Sequence, residues 1–294
     1  MTTATGVSRR SSPLKEALLG YALLVPAFVV LGVFAFYPLY RLFEFSLYRP
    51  NRFGTGSRYV GWSNVTDVLT GAQFQSGLWI TIKYVLYTVP AGLVIGTLLA
   101  LAANRPLRGI KIFQTIFSST VATSVAVASV VFFGLVNPEI GKFGKVGFID
   151  LSSSDSALRG VALSSIWQNI GLTFVIVLAG LQAVPEEVLE ASKVDGFGPL
   201  RRLFRVTLPL IGPTLLFLVV VLVIFAFQSF APMELLTNGG PAESTETLVF
   251  KIFRRQEFGL INEGAVMSLG LFALTFLVTL LQLTVLNRRV HYGN

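Results

Sequence analysis

Glu190-Ala191-Ser192-Lys193-Val194-Asp195-Gly196-Phe197, continued through Arg201, Arg202 and Arg205 to Leu208-Pro209, is a charged stretch enclosed by two long apolar runs. Pro185 opens it. Glu186 and Glu187 follow in what reads as a first helical turn, where carboxylates complement the helix dipole. Asp195-Gly196 reads as the stop, with glycine supplying a left-handed cap. Small Ala191 allows another surface to approach closely, and Glu190 offers a carboxylate to a basic group on that surface. A polar helix hung between membrane spans has few intramolecular jobs, so docking a soluble partner is the natural one. A solvated connector with dipole-matched charges is the plainer reading, and composition alone fits it.

The flanking runs set the class. Of 294 residues, 53% are hydrophobic and 13% are charged, whereas soluble domains carry about a quarter charged residues. Apolar runs fall at about 17–43, 78–103, 112–136, 158–182, 210–231 and 263–286. Each is long enough to cross a hydrocarbon core of about 30 Å. The expectation is an all-α integral membrane protein of six transmembrane helices, with an N-terminal segment 1–16, a charged loop 183–209 and a tail 287–294. The first run is too long for the core of a cleaved signal peptide and reads as an uncleaved span. Six crossings put both ends on one side. That side carries twelve Lys and Arg: three before residue 16, three at 105–111, four at 193–205 and two at 288–289. The opposite loops carry eight in much longer segments. The denser side is cytoplasmic by the positive-inside rule, and the charged helix lies on it.

Composition also excludes chemistry. There is no cysteine, and the single histidine is His291, so a thiol nucleophile, a disulfide framework, a His triad and a multi-His metal site are all ruled out by count. The net charge of +8 is explained by topology rather than nucleic acid, since no basic stripe interleaved with exposed aromatics stands apart from the spans. No Gly-x4-Gly-Lys-Ser/Thr occurs, and Gly54-Thr55-Gly56 does not lie between a strand and a helix. The chain is expected to bind no cofactor, and any ATP must be hydrolysed by another chain.

Glu190-Ala191, Gly196, Val206 and Leu208-Pro209 reproduce the spacing of a loop usually written EAA-x3-G-x9-I-x-LP, with Ser192, Phe197 and Val206 as modest departures. In this the chain resembles the permease subunits of ABC importers. Leu235-Leu236-Thr237-Asn238-Gly239-Gly240-Pro241 and Ser244-Thr245-Glu246-Thr247-Leu248 are similar to their carbohydrate-uptake, maltose-type branch. Phe53-Gly54 with Tyr59-Val60-Gly61-Trp62-Ser63-Asn64, Gly198-Pro199-Leu200-Arg201-Arg202-Leu203-Phe204, and Val290-His291-Tyr292 look most like the first permease of the sn-glycerol-3-phosphate and glycerophosphodiester importers within that branch. The resemblance implies a type I importer permease fold without catalytic activity of its own. It implies that Glu190, Ala191, Ser192, Asp195, Gly196 and Phe197 form a cytoplasmic coupling helix seated in a cleft of the ATPase. The implied partners are a second, different permease, a pair of ATPase subunits that use ATP and Mg, and an extracytoplasmic substrate-binding protein. The lipid bilayer surrounds the assembly, and no nucleic acid is involved.

Polar residues inside spans are costly in lipid and face a pathway or another helix. Span four carries Ser165, Gln168 and Asn169, and span five carries Gln228 and Ser229. Interhelical hydrogen bonding is the plainer reading for each one singly. Carried over from the maltose-type relatives, the five mark a substrate cavity between spans three, four and five. Where relatives carry a Pro-Tyr pair in span three, Thr120-Val121 stands here. Neutral amides and hydroxyls suit a polyol or glycerol portion better than a bare phosphate, which wants Arg or several donors. Lys83, near the outer end of span two, reads as a snorkelling side chain or as an anion contact. Tyr84 and Tyr87 read as packing or lipid-facing aromatics.

Three other readings stand beside the transport subunit. An intramembrane enzyme would need convergent acids, bases or nucleophiles in the spans, where Asp, Glu and His are nearly absent. An ion-driven secondary carrier would show intramembrane carboxylates and repeat symmetry, and neither is evident. Within the family, the rival is a permease for an oligosaccharide such as maltose or trehalose.

Overall fold

The structure, a computed structural model, describes residues 13–50, 56–105 and 107–287. The first part of the N-terminal segment, Phe53-Gly54 of the first loop and the tail with His291 lie outside the described residues. Four helices are long and apolar enough to cross a membrane: Gly20–Ser46, Ala72–Ala103, Ala157–Gln182 and Ile261–Thr284. Two bent pairs, Ile110–Ala122 with Val125–Val136 and Pro199–Leu210 with Gly212–Phe227, make six when each pair is one span. We number these spans one to six in chain order.

Span one runs from Pro13–Leu31 through a π-turn, Gly32–Phe36, into Tyr37–Ser46. A wide turn of this kind is a local bulge within an α-helix, and Pro38, which has no N–H to give the ladder, stands two residues after its end. Span two, Ala72–Ala103, begins earlier than the apolar run, and at 1.5 Å per residue its 32 residues measure about 48 Å. It therefore outruns the hydrocarbon core. Its first turns, rich in Gln and Ser, are helical because neighbouring elements pack on them.

Span three is not one helix. Its halves meet at 105°. Thr123 and Ser124 are extended, and the Ser124 hydroxyl accepts a hydrogen bond from the Val127 N–H, which makes it the N-cap of the second half. In span five, Pro209 and Pro213 flank a 67° bend at Ile211, where two missing N–H groups interrupt the ladder.

Spans two and four form the most intimate pair, and glycine explains why. A Cβ on Gly92 would lie 2.4 Å from the Asn169 Cβ, and one on Gly96 would lie 2.6 Å from the Thr173 Cβ and 2.8 Å from the Ile170 carbonyl oxygen. The four-residue spacing of small residues lets two membrane helices touch backbone to side chain. Around this pair lie two cores. One holds Ala100, Ala103, Phe174, Val177, Leu181 and Leu218, and the other holds Val89, Val161, Leu222, Phe227, Met233 and Phe250.

At the end of the bundle opposite the charged segment, short elements cover the spans. Tyr48–Pro50 pairs antiparallel with Ser57–Tyr59, Tyr48 facing Tyr59, so two short strands pair between spans one and two. Buried Asn64 donates to the Ser46 and Tyr48 carbonyls and accepts from Arg49, which also pairs with Asp67. The helix Leu248–Glu257 lies against span two, and its first N–H donates to Thr81 Oγ1 at 2.9 Å.

Lys251, only 2% exposed, is held by Glu243 and Glu246 at 3.0 Å each and by Gln73 at 2.7 Å. A buried ammonium is tolerated only when paired and hydrogen-bonded. The Lys251 ammonium beside Glu243 holds its carboxyl below the usual carboxylate range. Because the folded state favours the ionised form, the pairing stabilises the docked loop above the ordinary Glu value of 4.5 and is lost as pH falls through the lowered one. Limited proteolysis of the loop Asn238–Thr247 should therefore accelerate below pH 4.5, and Glu243→Gln should remove that part of the pH dependence.

Candidate functional site

Two features answer to the expectations: a cavity within the bundle and an exposed charged helix below it. The cavity measures about 580 Å³. All five polar side chains singled out from the sequence line it: Ser165, Gln168 and Asn169 from span four, and Gln228 and Ser229 from the end of span five. Gln228 and Ser229 are not inside a helix. Gly212–Phe227 stops just before them, and a new helix, Ala231–Thr237, starts just after. Span three contributes Thr120, Val121, Thr123, Ser124 and Val125, so its break opens directly onto the cavity.

The break and the polar residues depend on each other. Breaking a helix in lipid frees carbonyls that need donors. Gln168 Nε2 donates to the Thr123 carbonyl at 2.9 Å, within the break. Asn169 Nδ2 reaches the Thr88 carbonyl of span two at 3.4 Å. Thr120 Oγ1 occupies the place a Cβ on Gly171 would take, only 1.6 Å from it, which locks the kink of span three onto span four. These amides thus hold the cavity open as well as line it. Their carbonyl oxygens, which make none of these bonds, remain as acceptors.

Span two supplies Tyr84 and Thr88, neither of them singled out from the sequence as cavity residues. Tyr84 is fully buried, with its hydroxyl 2.5 Å from Ser165 Oγ and 3.1 Å from Ser229 Oγ. A tyrosine among apolar residues in a span gives no sign of its depth; only its place eight residues before Gly92 and twelve before Gly96, on the same helical face, hints that it faces a neighbour. Lys83 is not part of the cavity lining. Its ammonium lies over the Trp79 ring, 5.4 Å from the centroid, a geometry of cation–π attraction.

Among the described residues the lining carries no charged side chain: it consists of hydroxyls, two amides from span four, one from the end of span five, and apolar groups. Among the described residues no group of three His, Cys, Asp or Glu converges as a metal site.

The charged helix is Glu186–Val194, started by Pro185 and ended at Asp195. Gly196 has φ +76°. Its N–H reaches the Lys193 carbonyl at 3.0 Å, and the Phe197 N–H reaches Ser192 at 3.1 Å, the paired bonds of a Schellman cap. Of the six residues singled out here, Glu190, Ala191, Asp195 and Gly196 are exposed, Phe197 is half-buried beneath the Arg201 guanidinium, and Ser192 is buried. Ser192 thus faces its own chain, where its hydroxyl donates to the Leu189 carbonyl at 2.7 Å. Exposed apolar side chains stand beside the charges: Val194 is 88% exposed and Leu200 72%. Among the described residues none of the charges from Glu186 to Arg205 forms an ion pair within the chain. The segment runs on through Pro199–Arg202, a π-turn at Leu203–Thr207 and Leu208–Leu210, the first limb of span five, into its second limb Gly212–Phe227.

Replacing Gly196 with alanine forces a side chain into the left-handed region, at about 1–2 kcal/mol. Nothing lies within 4 Å of the new Cβ, so the cost is backbone strain alone. Hydrogen exchange of amides 186–197 should quicken about tenfold, with the spans unchanged.

Residues 92–292 match the model of the family described as binding-protein-dependent transport system inner membrane component. The chain is 32% identical over 282 residues to the sn-glycerol-3-phosphate transport system permease protein UgpA of Yersinia pestis bv. Antiqua (strain Antiqua), covering 93% of this chain and 96% of that protein. The counterpart of Rhizobium meliloti (strain 1021) is 33% identical over 284 residues, covering 94% and 97%. Among solved structures, a chain of a bacterial alginate ABC transporter, crystallised in complex with an alginate pentasaccharide-bound periplasmic protein, superposes with a TM-score of 0.78 at 20% identity over 96% of this chain and 98% of that one.

Proposed function

Since the chain belongs to the family of binding-protein-dependent transport system inner membrane components, and is thus a non-catalytic permease subunit of an ABC importer, we propose that it forms half of the translocation pathway for sn-glycerol-3-phosphate or glycerophosphodiesters. The observation that carries this reading is identity of about a third, sustained over more than nine-tenths of the chain, with permeases named for sn-glycerol-3-phosphate. The cavity lined by Ser165, Gln168, Asn169, Gln228 and Ser229 is the substrate pathway. The exposed helix around Glu190 and Ala191 docks on the ATPase, with Val194 and Leu200 as its apolar contact. Its unpaired charges are free to pair with the ATPase.

The partners are a second, different permease, two ATPase subunits that hold ATP and Mg, and an extracytoplasmic binding protein that delivers the ligand. Both termini and the loop 183–209 lie on the cytoplasmic side of the inner membrane, and the helix Leu248–Glu257 lies on the outer side. Span five, bent at Ile211 beside the charged segment, and span three, broken at the cavity, are where a push on the coupling helix is turned into a change of access.

One observation favours a second reading. A phosphate entering a site without a single cation would lose hydration with no compensating charge. The neutral lining suits a sugar or another polyol, as in the oligosaccharide permeases of the same family. For a glycerol phosphate, the charge must be met by the partner permease. Uptake by the reconstituted complex, with its own binding protein, separates the two. Labelled sn-glycerol-3-phosphate taken up and competed by glycerophosphocholine supports the first; competition by maltose or trehalose alone supports the second.

Gln168→Ala combined with Asn169→Ala removes two amides from the cavity wall. Uptake should fall at least tenfold while the ATPase subunits still co-purify. Loss of co-purification instead would make the two amides structural only.

A further inference from the structure

Span two carries none of the five polar side chains singled out for the pathway, yet it sets one hydroxyl where two of them meet. Tyr84 touches Ser165 on span four and Ser229 in the link after span five. A phenol has one proton to donate and lone pairs to accept with, so it serves both serines at once. The two bonds cross different boundaries. Tyr84 and Ser165 belong to the two spans locked together at Gly92 and Gly96. Ser229 belongs to the short non-helical link between Gly212–Phe227 and Ala231–Thr237. Span five, which ends at that link, is also the span joined through Leu208–Leu210 to the charged segment.

We propose that Tyr84 is a positioning residue of the pathway. Its hydroxyl holds the Ser165 and Ser229 hydroxyls in register on the cavity wall, and it latches span five to the rigid pair of spans two and four. The proposal rests on reading the cavity as the substrate pathway and the charged segment as the coupling helix. A displacement of that segment is carried along span five to Ser229. The Tyr84–Ser229 bond is the longer of the two and ends in a link without helical support, so it parts first, while Tyr84–Ser165 stays within the locked pair. One arrangement keeps both serines paired to the phenol, and the other frees the Ser229 hydroxyl for substrate. Tyr84 thereby makes the hydroxyl pattern on the cavity wall depend on the position of the coupling helix.

Tyr84→Phe deletes the hydroxyl and keeps the ring that fills the core. In proteoliposomes holding the complete complex, two changes are expected. The ATPase rate without binding protein should rise about fivefold, the factor that one ordinary hydrogen bond carries. The apparent KM for binding protein loaded with sn-glycerol-3-phosphate should rise by a similar factor, with assembly unchanged. Ser229→Ala opens the same latch from the other side and should raise the substrate-free ATPase rate equally, which keeps the test readable should Tyr84→Phe fail to assemble. The double variant should match the single ones in that rate, because both remove one bond. An unaltered substrate-free ATPase rate in both single variants, or effects that add in the double, would overturn the latch. The ATPase rate requires no knowledge of the ligand. A complex that ignores sn-glycerol-3-phosphate yet shows the raised rate refutes the ligand and keeps the latch.

Discussion

Ala191→Arg abolishes ATP-driven uptake and leaves the permease itself folded. Ala191 is exposed in the helix Glu186–Val194. Arginine is nearly as good a helix former as alanine, so the helix loses at most a few tenths of a kcal/mol. A methyl group that lies against a partner's groove is another matter. A guanidinium in its place fills the groove and strands a cation without a counter-charge, which costs about 2–5 kcal/mol at an interface. Docking should weaken roughly 30- to 5,000-fold by that figure. The expected result is uptake below about 1% of wild type, ATPase subunits absent from the purified permease, and a normal yield of membrane-inserted chain. Lys193→Ala, on the same helix in its last turn, supplies the comparison. It trims an exposed side chain without blocking approach, and part of the uptake should survive. Full uptake in Ala191→Arg would reduce the charged segment to a solvated connector.

The spacing from Glu190 to Pro209 was legible because it is a local property: cap, turn and proline positions are written in consecutive residues, and Gly196 takes the left-handed cap that the sequence suggested. The convergence of Ser165, Gln168, Asn169, Gln228 and Ser229 on one cavity was legible for a different reason. Lipid makes polar side chains expensive, so those inside apolar runs mark inward faces, and the resemblance to the maltose-type permeases picked these five among them. Three things were not legible. The break in span three turns on Ser124 acting as an N-cap, and a serine in an apolar run looks the same whether it caps a new helix or bonds back to its own. Tyr84 was read as a packing or lipid-facing aromatic because its role depends on two serines, 81 and 145 residues away. The strand pair Tyr48–Pro50 and Ser57–Tyr59 is too short for alternation to declare itself. In each case the deciding contact is distant in sequence, or the signal is shared by two structures.

The glycines at 92 and 96 set how closely spans two and four approach, and Gly96→Leu should carry a large structural effect. A single methyl there would already lie 2.6 Å from the Thr173 Cβ and 2.8 Å from a backbone oxygen of span four. The clash is with the Thr173 Cβ, which no side-chain rotation moves, and Thr173 is fully buried. Leucine adds three further carbons. Overpacking a core costs typically 1–3 kcal/mol when side chains give way, but here a carbonyl stands in the path, so the helices must separate along their length. Separation pulls Asn169 from Thr88 and Ser165 from Tyr84, and the cavity loses two of its walls. Gly96→Leu should therefore leave little protein that survives mild detergent at temperatures wild type withstands, with no uptake, and Gly96→Ala should fall between. Gly134→Leu, where nothing lies within 4 Å of the added carbon, should accumulate and melt like wild type. That contrast distinguishes a general intolerance of bulk in apolar helices from a contact between spans two and four. Native stability in Gly96→Leu would mean that the two spans do not touch at this glycine. The cavity assembled on their contact would then have to be rebuilt around some other pair.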